Sequence, residues 1–359
     1  MSFRKTISWF LFPLTMWYAI GVWLRNLLYD VGIRKQHSMP VTTIGVGNLC
    51  VGGAGKTPHV EYLLRLLADQ QPTALLSRGY HRKTRGYLRD DGSHDARRLG
   101  DEPAMVAYKF PQVTVAVCER RVEGVRRLLK EKNPPQLVVL DDVFQHRHIK
   151  PTVTILLTEY GKPYFKDHIM PYGDLRESRR GRYRADIVVV TKSPEKIDPI
   201  ERHNIVNDLK LRPYQKIFFS YVHYCDPRSI VGGAAMPLSG FDHALVVTGI
   251  AHPEPMLEHV RQACKVTAMR FEDHHTFVNS DIKKIVKQFE QLEGVRKVIL
   301  TTEKDAVRLP ISLLAGLPVY VLPIEVRIHS HKDYDFDQII TNAVNGNKQF
   351  LRYLHSPCR

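Results

Sequence analysis

The hydrophobic positions form short apolar runs that alternate with segments of helical periodicity. Residues 40–46, 73–76, 136–140 and 187–190 have the length and the composition of buried strands. Between such runs, residues 57–68 place tyrosine and leucine at helical spacing on one side. This alternation of strands and helices predicts parallel sheets covered by helices, which is an α/β fold.

The N-terminal segment is the compositional exception, because it is uncharged from Thr6 to Leu24 and contains all three tryptophans. As a helix it would reach about 28 Å, barely the thickness of a bilayer core. We expect Pro13 to shorten its regular part. Basic residues on both flanks and tryptophans at both ends favour a helix that lies in the membrane interface. A single membrane span and a buried core helix are the alternatives.

A second set of strands and helices follows a stretch that is rich in glycine, proline and tyrosine and shows little periodicity. Its strands are expected at 244–248, 266–271, 298–301 and 319–322. We therefore predict two α/β/α domains with mainly parallel sheets, divided as follows: a membrane-associated N-terminal helix (1–30), a first domain (31–220), a linker (221–240), a second domain (241–325), and a C-terminal tail and helix (326–359).

The charge and the cysteine content narrow the classes of partner and of compartment. A formal net charge of +15 attracts anions such as nucleic acid, acidic lipids or phosphorylated substrates. The five cysteines are widely spread without a C-x-x-C pair, which argues against a disulfide framework or a zinc site and fits a reducing cytosol. A nucleic-acid partner is not expected, because the aromatic residues concentrate in the N-terminus, away from the arginine groups.

A glycine-rich loop connects the predicted strand 40–46 to the predicted helix 57–68. Its residues are Gly52, Gly53, Ala54, Gly55, Lys56 and Thr57. Glycines let several backbone N–H groups converge on one anion, and the helix start adds positive potential. In this pattern the lysine reaches the nucleotide phosphates and the threonine hydroxyl binds magnesium, so ATP and Mg²⁺ are the predicted cofactors. Cys50 stands where the usual pattern has its first glycine, and Gly52 and Gly53 are expected to supply the flexibility instead.

Two acidic residues, Asp141 and Asp142, follow the apolar strand 136–140. Such a strand places carboxylates beside the phosphate loop, where they hold magnesium directly or through water. Together with the loop, these acids indicate a P-loop NTPase fold for the first domain.

Several longer runs make the sequence more specific than a generic nucleotide-binding protein. In order, they are Val46-Gly47-Asn48-Leu49, Gly55-Lys56-Thr57-Pro58, Ser77-Arg78-Gly79-Tyr80, Gly100-Asp101-Glu102-Pro103, Asp141-Asp142-Val143-Phe144-Gln145-His146, Pro171-Tyr172-Gly173-Asp174-Leu175-Arg176-Glu177, Asp273-His274-His275 and Thr301-Thr302-Glu303-Lys304-Asp305. The ordered set resembles the tetraacyldisaccharide 4′-kinases, inner-membrane enzymes of lipid A synthesis. The resemblance extends from about residue 10 to residue 325.

The resemblance implies transfer of the ATP γ-phosphate to the 4′-hydroxyl of a tetraacylated glucosamine disaccharide 1-phosphate. It implies a peripheral or monotopic enzyme at the cytoplasmic face of the inner membrane, with its catalytic domains in the cytoplasm. It places Asp101 at the attacking hydroxyl and His274 as its partner, with His275 as the second choice, and Lys56 in catalysis. The residues expected to contact the acceptor are Arg78, Gln145, His146, Arg176 and Glu177.

Other interpretations of the same residues stay open at this stage. Without the resemblance, Asp101 before Pro103 is typical of a helix N-cap. The phosphate loop alone also fits a nucleotide-driven switch or a metallochaperone that has no lipid acceptor. A nucleic-acid-dependent ATPase is a further alternative suggested by the charge. Nucleotide hydrolysis without a lipid acceptor would favour the switch, and stimulation by nucleic acid would favour the ATPase.

Overall fold

A computed structural model describes residues 2–346 except 233, 274, 315 and 332, with side chains described from residue 13 onward. In this part of the chain the strands are β1 (Thr42–Asn48), β2 (Thr73–Ser77), β3 (Leu88–Arg89), β4 (Thr114–Val117), β5 (Leu137–Leu140), β6 (Val153–Glu159), β7 (Ile187–Thr191), β8 (Lys216–Tyr224), β9 (Arg228–Ser229), β10 (His243–Thr248), β11 (Lys265–Arg270), β12 (Lys297–Thr302), β13 (Val319–Leu322) and β14 (Ile324–Ile328). The α-helices are α1 (Ser2–Asp30), α2 (Lys56–Leu67), α3 (Ala96–Leu99), α4 (Asp101–Lys109), α5 (Arg121–Leu128), α6 (Pro199–Leu209), α7 (Glu254–Arg261), α8 (Asn279–Glu290), α9 (Glu303–Ala306) and α10 (Phe336–Val344).

The larger sheet has the strand order β14-β8-β7-β6-β1-β5-β2-β4-β3, so β1 lies at its centre. The pairs from β8 through to β4 are parallel, while β14 and β3 are antiparallel edge strands. The central strands are buried on both faces, as parallel strands covered by helices must be. Because β5 pairs directly with β1, their carboxyl ends lie side by side at one edge, the usual ligand site of such sheets.

The smaller sheet has the order β11-β10-β12-β13-β9, parallel except for the short edge strand β9. Helices α7 and α8 cover its two faces with separate apolar clusters, one around Leu257 and the other around Ile285. Two sheets of mainly parallel strands confirm the predicted α/β class.

The C-terminal segment differs from the predicted division of the chain. Residues 221–224, predicted as part of the linker, belong to β8, and residues 324–328 form β14, which pairs with β8 in the first sheet. Helix α10 then packs Phe336 and Ile340 into the first core. The chain therefore leaves the first sheet, builds the second one and returns, because the apolar face of α10 finds its partner surface on α2 and the central strands. Residues 347–359 lie outside the described residues.

Helix α1 is continuous over Ser2–Asp30 and includes Pro13, so the expected shortening at Pro13 was wrong. The fixed φ of proline is compatible with a helix, and only one backbone hydrogen bond is lost. Trp17 is 75% exposed and Trp23 is 59% exposed, with Leu14, Met16 and Ile20 also open to solvent. Among the described residues, no helix combines the length and apolar character needed to cross a membrane.

Candidate active site

The phosphate loop connects the buried end of β1 to the first turn of α2. Gly52 has φ +113° and Gly55 has φ +79°, conformations that favour glycine. Cys50 instead forms a bridge to Leu175 and does not have a positive φ. A glycine is therefore not required at position 50, and of the two glycines expected to replace it, Gly52 is the one with the unusual backbone.

Hydrogen bonds to neighbouring elements fix this loop on both sides. They run from Val51 N to Asp174 O (2.7 Å), from Arg176 N to Leu49 O (2.8 Å), from Thr191 Oγ1 to Ala54 O (3.0 Å) and from His59 Nδ1 to Gly55 O (2.7 Å). Burial lowers the pKa of His59 to about 4, so the ring is neutral at neutral pH. Its Nδ1–H donates to the loop, and its Nε2 accepts from the Ser220 hydroxyl at 2.9 Å. The loop is thus held in one conformation by groups that a bound phosphate would not need to displace.

Lys56 opens α2 and points to the carboxyl edge of the sheet. Its Nζ lies 3.4 Å from Asn48 Oδ1 at the end of β1 and 3.7 Å from Asp142 Oδ1. Asp142 has φ +45°, an uncommon conformation for a residue with a side chain. Burial alone would raise the pKa of Asp142, but Lys56 and Arg176 together hold it below its ordinary value. The structure therefore brings the predicted lysine and the predicted acid together.

Asp141 is the more enclosed of the two acids. Its Oδ2 accepts from the Ser77 hydroxyl at 3.0 Å, and its backbone carbonyl accepts from Arg121 Nη2 at 2.9 Å. Its Oδ1 is buried and has no hydrogen-bond partner among the described residues. Burial and the neighbouring Asp142 raise the pKa of Asp141. A buried carboxylate oxygen beside a second acid is a position that a cation would stabilise.

Gln145, Arg176 and Glu177 form one hydrogen-bonded network beside these acids. Arg176 Nη1 donates to both carboxylate oxygens of Asp142 at 3.1 Å and to Gln145 Oε1 at 3.3 Å. Gln145 Nε2 donates to Asn48 O at 2.8 Å and to Glu177 at 3.2 Å. Glu177 is fully buried and also accepts from Arg184 and Asn26. These donors occupy the Glu177 carboxylate. In this structure Glu177 therefore contacts the other residues of the network, and its side chain is not exposed to an acceptor.

Helix α1 contributes directly to this network. The Tyr18 hydroxyl donates to Arg176 O at 2.9 Å, and Asn26 Nδ2 donates to Glu177 Oε2 at 3.0 Å. These residues are eight positions apart and therefore lie on the same face of the helix. The exposed tryptophans of α1 are thus carried by an element that also binds the edge of the site.

His146 and Arg78 lie close to the same acids. Burial, followed by the positive charge of Arg121, lowers the pKa of His146 to about 4, and Arg78 adds to this effect. The imidazole is therefore neutral at neutral pH. Arg78 is exposed, follows the end of β2, and has no hydrogen-bond or ion-pair partner among the described residues. Its charge is available at the surface of the site.

Asp101 is the first residue of α4, while the N-cap position is occupied by Gly100. A Cβ on Gly100 would lie 2.7 Å from Tyr80 O and 3.2 Å from Gly79 Cα, so the runs around residues 78 and 101 pack backbone against backbone. The carboxylate of Asp101 accepts from Arg308 at 2.9 Å. Asp101 is thus ion-paired to the second domain, and the helix-cap interpretation does not describe it.

The predicted partner His274 lies outside the described residues, so its pairing with Asp101 stays a prediction. The second choice, His275, hydrogen-bonds through Nε2 to Asp281 at 2.8 Å and stacks on Phe271. Asp273 lies 3.7 Å from Lys304, whose Nζ is also 3.2 Å from Glu102. Lys304 therefore connects Asp273, the residue before His274 in the sequence, to the start of α4.

Sequence reasoning missed three residues with clear positions in this site: Arg121, Asn26 and Arg308. Arg121 follows β4, and its place after the carboxyl end of a strand was a usable signal. Asn26 is a polar residue at helical spacing from Tyr18, which was a weaker signal. Arg308 lies three residues after the Thr301–Asp305 run, but no local pattern indicates that it reaches Asp101.

A central parallel strand, a glycine-containing loop, a lysine at the next helix and an acid pair on the neighbouring strand are the features of a P-loop nucleotide-binding protein. Comparison with known proteins makes this class specific. The family model for tetraacyldisaccharide-1-P 4′-kinase matches residues 7–345, and the chain belongs to that family. The family predicted from the sequence is therefore confirmed, and the chain is a kinase.

Curated relatives and a solved structure agree with this assignment. The tetraacyldisaccharide 4′-kinase of Bacteroides thetaiotaomicron is 42% identical over 362 residues, covering 96% of this chain and 95% of its own length. The one from Flavobacterium johnsoniae is 40% identical over 341 residues, covering 94% of this chain and 97% of its own. The crystal structure of LpxK from Aquifex aeolicus in complex with ATP has a TM-score of 0.71 and 27% identity, covering 97% of this chain and 98% of that one.

Proposed function

We propose that this chain transfers the γ-phosphate of ATP to the 4′-hydroxyl of a tetraacylated glucosamine disaccharide 1-phosphate. The observation that carries the proposal is the arrangement of Lys56 and the Asp141–Asp142 pair at one sheet edge, in a chain that matches this kinase family over nearly its full length. The Aquifex aeolicus relative was crystallised with ATP, which supports ATP as the donor.

The donor half of the site consists of the phosphate loop and the first residues of α2. Backbone N–H groups of Gly52, Gly53, Ala54 and Gly55 would cradle the phosphates, with the Ala54 N–H leaving its present acceptor, Gly52 O at 3.0 Å. Lys56 supplies the positive charge for the β- and γ-phosphates. Its present neighbour Asp142 keeps that ammonium group at the sheet edge before nucleotide binds.

The residues also fit a magnesium ion. Thr57, Asp141 and Asp142 would hold it, together with water and phosphate oxygens, because Mg²⁺ commonly uses one or two carboxylates. The buried, unpartnered Oδ1 of Asp141 and the raised pKa of this acid are the observations that favour such a cation. When bound, the ion neutralises negative charge on the β- and γ-phosphates.

Asp101 activates the acceptor in this proposal. A sugar hydroxyl is a poor nucleophile at neutral pH, so a carboxylate within hydrogen-bond reach takes its proton as the oxygen attacks the γ-phosphorus. The bond to the β–γ bridging oxygen then breaks and ADP leaves. His274 is proposed as the partner of Asp101, and the contact between Lys304 and both Glu102 and Asp273 supports this pairing.

The acceptor half comprises the residues around the acid pair. Arg78 is exposed and suited to a phosphate of the acceptor, since guanidinium groups bind phosphate in a bidentate way. Gln145, His146 and Arg176 form the wall next to Asp142, with His146 as a neutral hydrogen-bonding group. Glu177 accepts a hydrogen bond from Gln145 and so holds the Gln145 side chain in place.

We place the enzyme at the cytoplasmic face of the inner membrane, as a peripheral or monotopic protein. The support comes from α1, which exposes Trp17 and Trp23 to solvent and binds Arg176 and Glu177 through Tyr18 and Asn26. Tryptophan suits the headgroup level of a bilayer, where one end of the ring system is apolar and the other is wet. This arrangement would present an acylated acceptor to the site from the membrane surface.

Transfer of radiolabelled γ-phosphate to the disaccharide 1-phosphate in detergent micelles tests the proposal. Wild type should label the lipid, and Lys56→Ala should lower the rate by on the order of 10²-fold or more, since charge stabilisation at the phosphoryl group is lost. An acceptor lacking the 4′-hydroxyl should stay unlabelled. Labelling of that acceptor, or no labelling by wild type, would contradict the assignment.

A further inference from the structure

Three ion pairs connect α4 of the first domain to the segment that begins with α9 of the second domain. Lys109 Nζ lies 2.7 Å from Glu303, Lys304 Nζ lies 3.2 Å from Glu102, and Arg308 Nη2 lies 2.8 Å from Asp101 Oδ2. The pairs engage both ends of α4, a helix of 9 residues. The position of this helix, and of the carboxylate at its start, therefore depends on the second domain.

The pair between Arg308 and Asp101 is the most constrained of the three. Arg308 Nε donates to Asp101 Oδ2 at 2.9 Å, and Arg308 Nη2 lies 2.8 Å from the same oxygen. The side chain of Arg308 is only 7% exposed and that of Asp101 is 17% exposed. Two nitrogens of a planar, charged guanidinium on one carboxylate oxygen hold that oxygen in place, and this limits how the Asp101 carboxylate can turn.

The other side of the Arg308 guanidinium is anchored by a rigid group. Its Nη1 lies 3.5 Å from Asp305 Oδ1. Asp305 is completely buried, and its Oδ2 accepts from Thr248 Oγ1, Gly249 N and Thr302 Oγ1 at 2.7–3.1 Å. These donors come from the ends of β10 and β12, so Arg308 transmits the position of the second sheet to Asp101.

We propose that Arg308 is a positioning residue that orients the Asp101 carboxylate toward the acceptor hydroxyl. The inference rests on the proposed function, in which Asp101 takes the proton of that hydroxyl. General-base catalysis requires the carboxylate oxygen to lie within hydrogen-bond distance in the correct direction. Loss of this orientation reduces the rate of phosphate transfer without weakening ATP binding at the phosphate loop.

The principal test is a double-mutant cycle with Arg308→Gln and Asp101→Asn, measured as steady-state transfer of labelled phosphate over a range of ATP concentrations. Arg308→Gln should lower kcat by about 10- to 100-fold, the usual effect of a misplaced catalytic group, and leave the KM for ATP within about twofold. In the Asp101→Asn background, the same substitution should change the rate by less than about twofold, because its target is already removed.

Lys109→Gln is the matched control, since it removes another ion pair of the same interface, the one with Glu303, at the opposite end of α4 from Asp101. This control should lower kcat less than Arg308→Gln does, and by the same factor in the wild-type and in the Asp101→Asn background. If Arg308→Gln does not fold, Arg308→Lys is used instead. Arg308→Lys keeps the positive charge but loses the planar guanidinium. It should lower kcat as Arg308→Gln does, and this effect should disappear in the Asp101→Asn background.

The outcomes separate this inference from the proposed function. Suppose that wild type transfers phosphate and that Arg308→Gln lowers kcat by the same factor with and without Asp101→Asn. Arg308 then acts independently of Asp101, and the inference is overturned. An unchanged kcat in a folded Arg308 variant overturns it as well. If wild type binds ATP but transfers no phosphate to the lipid, the proposed function itself fails.

Discussion

Replacing Glu177 with alanine removes an acceptor on which donors from three parts of the chain converge. Arg184 Nη2 lies 2.8 Å from the carboxylate, Asn26 Nδ2 3.0 Å and Gln145 Nε2 3.2 Å, and the Glu177 side chain is 0% exposed. Breaking a buried ion pair costs about 3–5 kcal/mol. Arg184 is 25% exposed and turns partly to solvent, so we expect a loss of about 2–3 kcal/mol of stability.

Thermal unfolding followed by circular dichroism measures this loss. At about 2 °C per kcal/mol for a chain of this length, Tm should fall by roughly 4–6 °C. Glu177→Gln keeps the shape and one acceptor oxygen, so it should lose about half as much. Glu293→Ala is the matched control, because that glutamate is 82% exposed and pairs only with surface Lys265 among the described residues. Equal Tm values for Glu177→Ala and Glu293→Ala would refute the assigned role.

Three further predictions concern other parts of the molecule. Burial lowers the pKa of His59 from 6.5 to about 4, so the stability it contributes is complete above pH 6.5 and is lost as the pH falls toward 4. Urea unfolding at pH 7.5 and 5 should show a smaller pH dependence for His59→Gln than for wild type, and an equal dependence would contradict this. Asp141→Asn should raise the Mg²⁺ concentration needed for half-maximal activity about 10- to 100-fold, measured by magnesium titration; an unchanged requirement would exclude Asp141 as a ligand. The double substitution Trp17→Ser and Trp23→Ser should reduce co-sedimentation with anionic lipid vesicles about tenfold, whereas exposed Val295→Ser should not; equal binding would argue against membrane contact through α1.

Local pattern was sufficient for the donor half of the site. The strand, loop and helix around Lys56 are each defined by residues that are adjacent in sequence, and periodicity and glycine content report on such elements directly. The acids after β5 were also predictable, because the carboxyl ends of paired parallel strands share one sheet edge. Cys50 departs from the motif, which has glycine there, but the backbone at this position forms a β-bridge to Leu175 and has no positive φ.

The acceptor half depends on contacts that no local pattern contains. Arg308 and Asp101 are 207 residues apart, and their pairing follows from how α9 meets α4. The return of β14 to the first sheet was missed for a related reason. A short edge strand with Glu325 and Arg327 on one side has no long apolar run, and its partner is chosen by tertiary packing. Glu177 was predicted from the family resemblance to contact the acceptor, and its burial is visible only in the folded chain.

The most direct test of the central claim is the stoichiometry between ATP consumption and lipid phosphorylation. We expect ADP and the 4′-phosphorylated disaccharide to form in a ratio of about 1:1, with ADP formation falling by on the order of 10²-fold when the lipid acceptor is omitted. Mass spectrometry of the product should place the new phosphate at the 4′-position. ADP formation that is equally fast without the acceptor would identify a nucleotide-driven switch and would contradict the account.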